Sequence, residues 1–486
     1  MADVTDSAVP PPDPVLADAP LLAAWASFRG THRPFTIPGH QGLAGRLSRA
    51  LGALLDADVP LYGGLDTVKL SGGLLAAAEA RAARLWGVDL CRFSVGGSTH
   101  GNQAAVLTVA GPGETVLVGR NAHRSVLLGL VAAGARPVWL PVAAHPATAL
   151  PVGVTTAVLA DALAAHPETR AVLLTEPAYL GALSDVPAAA ELAHAAGIPL
   201  VVDQAWGAHL GVAPGYPAHA LAAGADIMVT SAHKTLPAYS QAALVLARSG
   251  RIDPDRFERA FEAGHTTSPA GAVLAGIDGA RSVLETVGAS LLTDLAATVA
   301  AARDRLRAID GVRVPGPEDF PAGQFDPAKL VVQLAGCGAD GIAVEQDLLA
   351  QGMPVEMADR DTVVPIVTLV DRPADLEPLL DALVHSIRRR STGIPREPAG
   401  HVWDPAEQVR TPREAFFAPH VTVDRASAAG RICAEVVAPY PPGVPVLVPG
   451  ERIDRDTLDR LAALAATGTR VAYAADPALE TIQVLA

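Results

Sequence analysis

The chain has 486 residues, 50% of them hydrophobic and 18% charged. That composition excludes intrinsic disorder, and because one core stops growing at roughly 250–300 residues it calls for more than one domain. A formal charge of −14 argues against nucleic acid as a partner and suits a cationic small molecule.

Met1 to Pro14 is acidic and proline-rich, without the basic and apolar regions of a signal peptide, so residues 1–50 are expected to form an N-terminal arm or segment. Leu74 to Trp86 is built from strong helix formers and is followed by Gly87, a good stop. A glycine-rich turn is predicted at Gly96–Asn102, then an apolar run at Gln103–Ala110. Strands are predicted at Thr115–Val118, Pro137–Leu140, Ala171–Thr175, Pro199–Val202, Asp226–Thr230 and Ala242–Ala247. Helices are predicted between several of them, at Val126–Ala133, Ala157–Ala165, Ala188–Ala196 and Ala218–Ala223. Near-continuous apolar strands alternating with helices predict an α/β domain over residues 51–310, with a mostly parallel sheet covered on both faces.

Lys329–Leu334, Ile342–Ala350 and Ala374–Ile387 predict a smaller α+β domain over residues 311–390. Residues 391–486 read as a linker, rich in Pro, Gly and charge, and a C-terminal unit with a helix at Arg455–Ala466. The uncharged stretch from Pro137 to Ala160 is broken by Pro141, Pro146 and Pro151, so no membrane span is expected there. Cys91, Cys337 and Cys433 have neither disulfide-framework nor metal-ligand spacing. No metal site is expected, and a reducing cytoplasm fits.

Asp203 ends one predicted strand, and Ser231-Ala232-His233-Lys234 ends the next. In a parallel α/β sheet, ligands bind beyond the carboxyl ends of the strands, so these side chains are expected in one crevice. The turn at Gly96–Gly101 precedes a helix whose N-terminus can hold a phosphate. Phosphate cradle, amine and strand-end carboxylate are the three handles that pyridoxal 5'-phosphate requires. Lys234 would form a Schiff base with the aldehyde, and ionised Asp203 would keep the ring nitrogen protonated. Ser98, Thr99 and Ser231 would bind the phosphate, and His123 would stack on the ring face.

These motifs resemble those of the Orn/Lys/Arg decarboxylase family, along nearly the whole chain. Phe35-Thr36-Ile37-Pro38-Gly39-His40-Gln41-Gly42 resembles its N-terminal element, Gly97–Asn102 its phosphate loop, and Asn121–Ser125 the segment with the stacking histidine. Asp203-Gln204-Ala205-Trp206 and Ser231–Leu236 resemble its aspartate and lysine motifs, and Pro439–Pro445 with Pro449-Gly450-Glu451 its C-terminal signature. The resemblance implies a fold-type-I, aspartate-aminotransferase-like large domain and α-decarboxylation of arginine, lysine or ornithine, with a slight preference for arginine. It adds Ala205 to the cofactor contacts, with His233 and Lys234 as candidates to return the proton. Thr266-Thr267-Ser268-Pro269 is similar to a family segment that reaches the neighbouring subunit's cofactor, which implies a homodimer or higher oligomer in which Thr267 and Ser268 complete the partner's site. From the residues alone, Ser268 and Pro269 also fit the cap and first position of a helix. Two departures are Ala178, where short family members usually carry Thr, and Trp206, where they often carry His. An aminotransferase or β-eliminating enzyme of the same fold, or a catalytically idle regulatory paralogue, are the alternatives.

Overall fold

Seven strands form the central sheet: β1 (Leu90–Ser94), β2 (Thr115–Gly119), β3 (Arg136–Leu140), β4 (Ala171–Thr175), β5 (Leu200–Asp203), β6 (Ile227–Ser231) and β7 (Ala243–Ala247). Their order is β1-β7-β6-β5-β4-β2-β3. Pairing is parallel from β3 through β6, and β7 runs against both of its neighbours. The computed structural model describes residues 13–31, 48–55, 57–59, 73–398, 404–440 and 443–486. The Phe35–Gly42 element, Pro441 and Pro442 lie outside them.

Alternation along each strand explains why the apolar runs are continuous. Leu117, Val172, Leu174, Leu200, Val202, Met228, Leu244 and Leu246 pack into one core, and Val116, Val118, Leu173, Val201, Ile227, Val229 and Val245 into another. Successive side chains point to opposite faces, so a sheet buried on both sides needs apolar residues at every position. The second core is closed by the helices Gly97–Val109, Arg124–Ala133 and Pro254–Gly264, through Val106, Leu130, Phe257 and Phe261. Gly101 lets the first of these approach the sheet, since a Cβ there would meet the Val229 Cγ1 at 2.6 Å.

The first core continues into the small α+β part, through Leu330, Val332, Val363, Leu380 and Leu383. There a three-stranded sheet (Val332–Gln333, Thr362–Val364, Met357–Ala358) packs with the helices Gly341–Ala350 and Pro373–Arg390. The C-terminal unit has its own core, including Cys433, Leu447, Ile453, Leu458 and Val484, around the helix Arg455–Ala466 and two two-stranded sheets.

Several expectations change. Gly97 begins a helix, so the glycine-rich segment is a helical first turn rather than a free loop. Ala218–Ala223 forms turns, because six residues before Gly224 offer too little length to offset helix nucleation. Strand β1 is hidden in the sequence by Arg92, which is buried against the Glu79 carboxylate. The run Gly271–Arg307, unremarked in the sequence reading, is among the described residues the helix long and apolar enough to cross a membrane by composition. In the fold it carries buried Asp278 and Arg281, 3.1 Å apart, and Asp278 accepts the Leu21 N–H at 2.9 Å. Those contacts tie it to the helix Pro20–Thr31.

Candidate functional site

The register places the carboxyl ends of the parallel strands side by side, with Asp203 opposite Thr175 on β4 and Val229 on β6. Beyond those ends lies a cavity of about 530 Å³. Ser98, Thr99, His123, Asp203, Ala205, Ser231, His233 and Lys234 all line it.

At one end, Ser98 on the first turn of Gly97–Val109 shares a 2.7 Å hydroxyl–hydroxyl hydrogen bond with Ser231 at the end of β6. Gly97 and Gln241 are both in the left-handed region, at φ 68° and 74°, and the Gly97 N–H donates to the Gln241 carbonyl at 2.8 Å. A side chain is strained at such a φ, a strain that Gly97 avoids and Gln241 bears. Two hydroxyls at a helix N-terminus form an anion cradle.

At the other end a chain of side chains runs away from Asp203. Its carboxylate accepts from Asn102 Nδ2 at 2.7 Å and from the Ala205 N–H at 3.1 Å. Asn102 Nδ2 gives its second hydrogen to Ser125 Oγ at 2.9 Å, and Ser125 Oγ lies 2.8 Å from His123 Nδ1. His123 Nδ1 also accepts the Ser125 N–H at 3.2 Å, capping the helix Arg124–Ala133. With Nδ1 accepting, the neutral ring carries its proton on Nε2. Burial holds His123 below its ordinary pKa, against the opposing pull of the Asp203 charge.

Between the two ends stands Lys234, on the short helix Ala232–Thr235. Its Nζ lies 4.4 Å from the centre of the Trp206 ring, and burial lowers its pKa while Asp203 and Glu356 oppose that shift. The adjacent His233 donates from Nδ1 to the Ala242 carbonyl at 2.9 Å and is also lowered by burial.

Thr267 and Ser268 are exposed and do not line this cavity within one chain. Ser268 is not a helix cap, for the next helix starts at Gly271 with Ala270 before it. Of the two departures, Trp206 lines the cavity, while Ala178 is buried outside its lining. The sequence reading missed Asn102 and Ser125 as links, and it missed Lys329 altogether. Lys329 Nζ lies 4.2 Å from the Trp206 ring, and burial pushes its pKa down to about 8. Asn102 had a signal, being four residues after Ser98 and hence on the same helical face. Lys329 had none, arriving 95 residues after Lys234 from the small α+β part.

An anion cradle, a half-buried lysine of lowered basicity and a braced strand-end carboxylate, on this sheet topology, define a fold-type-I pyridoxal-phosphate enzyme, and the residues present fit that cofactor. Comparisons with known proteins carry this further. The Orn/Lys/Arg decarboxylase major domain matches residues 19–325, and the C-terminal domain of the same family matches residues 405–471. The chain is 31% identical to the arginine decarboxylase of Halalkalibacterium halodurans over 467 residues, covering 93% of this chain and 95% of that one. It is likewise 31% identical to the arginine decarboxylase of Bacillus subtilis, covering 93% and 94%. The lysine decarboxylase LdcF of Francisella novicida superposes with a TM-score of 0.80 at 18% identity, over 96% of this chain and 81% of that one. The chain therefore belongs to the Orn/Lys/Arg decarboxylase family and is a pyridoxal-phosphate-dependent decarboxylase of a basic amino acid.

Proposed function

We propose that the preferred substrate is arginine and that the cavity beyond β4, β5 and β6 is where it loses its carboxylate. The chain Asp203–Asn102–Ser125–His123, facing Lys234 across one cavity, carries this reading. Pyridoxal phosphate, when bound, supplies a ring that takes up the electron pair left behind as carbon dioxide departs. The protein's residues do the rest. Ser98, Thr99 and Ser231 would hold the phosphate with hydroxyls and helix N–H groups. Asp203, kept in place by Asn102 and the Ala205 N–H, would pair with the ring nitrogen and keep it protonated. Neutral His123 and Ala205 would bracket the ring. Lys234, whose lowered basicity favours the free amine, would hold the aldehyde until the substrate amine takes its place. A proton then returns to the substrate α-carbon from Lys234 or His233.

Arginine is favoured because three relatives matched over more than 90% of both chains carry that name. A panel of arginine, lysine and ornithine, followed by amine product, tests the preference. Arginine is expected to give the highest kcat/KM, and a tenfold preference for lysine or ornithine overturns it.

The same reading makes the active unit a homodimer in the cytoplasm, with Thr267 and Ser268 completing the partner's site, and divides the chain near residues 50, 310 and 390. Mixing Lys234→Ala protein with Thr267→Ala/Ser268→Ala protein tests the shared site. In a mixed dimer both defects fall in one site and the other is intact, so activity should return. A fully active monomer contradicts it.

A further inference from the structure

His123 sits on a loop with an arginine on each side, and the C-terminal unit takes hold of both. Arg120, directly after β2, is buried, and its guanidinium donates to the Glu451 carboxylate at 2.9 Å and to the Val446 carbonyl at 2.6 Å. Trp139 on β3 lies 5.1 Å from that guanidinium, and its indole N–H donates to Gln408 of the C-terminal unit at 2.7 Å. Glu451 is fully buried and also accepts the Val448 N–H at 2.9 Å. On the far side of His123, the Arg124 guanidinium stacks on the Tyr473 ring at 4.0 Å. The helix that begins at Arg124 is held at its other end too, where Arg413 donates to the Val131 and Ala132 carbonyls at 2.9 and 3.1 Å.

Such contacts hardly arise from packing the unit onto a convenient surface. A surface arginine would leave its charge in water, whereas Arg120 and Glu451 have both given up hydration, which holds only if the geometry is maintained. The anchored points are residues 120 and 124, and between them lies the ring that caps the helix and ends the hydrogen-bond chain from Asp203. We propose that the C-terminal unit is a positioning device for His123, with Glu451 acting through Arg120 and Tyr473 through Arg124. This rests on the reading of His123 as the residue that lies against the cofactor ring. It gives a role to Glu451 of the Pro449-Gly450-Glu451 motif, which lies in the C-terminal unit and lines no part of the cavity.

The test strips the purified holoenzyme and re-titrates it with pyridoxal phosphate, reading the dissociation constant, the visible circular dichroism of the bound cofactor and the thermal midpoint. His123→Ala is the reference. Tyr473→Leu, at a half-exposed position, removes one cation–π contact and should raise the cofactor dissociation constant about two- to fivefold. It should also weaken the circular dichroism band in the direction that His123→Ala does. Tyr473→Phe, which keeps a ring under Arg124, should restore both. Glu451→Gln should act in the same direction and more strongly. If His123→Ala changes neither readout, the assignment of His123 fails and this inference with it. If His123→Ala changes both while Tyr473→Leu and Glu451→Gln lower only the thermal midpoint, the C-terminal unit merely stabilises, and the inference alone is overturned.

Discussion

Two polar networks meet at residues 119–125, and they are built in opposite ways. In the Asp203–Asn102–Ser125–His123 chain, Ser125 is buried behind the cavity wall while Asp203, Asn102 and His123 line the open space. The Arg120–Glu451 pair is shut inside the protein, with Val446, Val448 and Trp139 around it. In the first, hydrogen bonds orient groups that remain available to a ligand. In the second, each charge exists to satisfy the other, and burial pushes the Glu451 carboxyl up despite Arg120 beside it. The comparison teaches that polarity in the interior serves chemistry where one side is left open and serves docking where it is closed.

Breaking the open network should cost activity, and breaking the closed one should cost stability and, through Arg120, the seating of His123. The largest effect is expected at Lys234, where Lys234→Ala should abolish turnover, and borohydride trapping of the native protein should map to this lysine alone. Asp203→Asn keeps the shape but loses the charge opposite the ring nitrogen. Misplacing one electrostatic partner typically reduces kcat by about 10²–10³-fold, so steady-state kinetics should show a loss in that range with cofactor retained. Glu451→Ala strands a buried guanidinium, which typically destabilises by about 3–5 kcal/mol, read as the midpoint of denaturant unfolding. Asn102→Ala removes one donor to a buried carboxylate, about 1–3 kcal/mol, so kcat should fall less than for Asp203→Asn.

A pH dependence is expected at Glu176. This side chain is buried beside the Ser184 hydroxyl and N–H, and burial raises its pKa to about 8. The folded state therefore holds a proton that the unfolded chain releases near its ordinary value of 4.5. Stability from this group is present at low pH and is lost as pH rises from about 4.5 through 8. Glu176→Gln should flatten that slope in a series of thermal midpoints between pH 5 and 8.5. An unchanged slope removes Glu176 as its source.

Much of this was legible in the sequence, because local rules and the fold agree at those places. Continuous apolar runs marked the strands, and Ser98, Thr99, His123, Asp203, Ser231, His233 and Lys234 do meet in one cavity. What stayed hidden depends on distance in the chain. Arg92 looks like a strand breaker until Glu79 is placed beside it, and Arg120 looks like a solvated charge until Glu451 arrives 331 residues later. Lys329 reaches the Trp206 ring from the small α+β part, and no local pattern around it announces this. Thr267 and Ser268 show the converse. Their motif is plain in the sequence, yet within one chain they stand in the open, outside the cavity lining.

The central claim is that this cavity releases the α-carboxylate of a basic amino acid. Incubating the holoenzyme with carboxyl-labelled arginine, and counting carbon dioxide, amine and keto acid together, tests it most directly. One carbon dioxide and one amine per arginine consumed, with no keto acid and no turnover by Lys234→Ala, is the predicted result. Keto acid formed in step with arginine loss, with the label retained in it, would contradict the account.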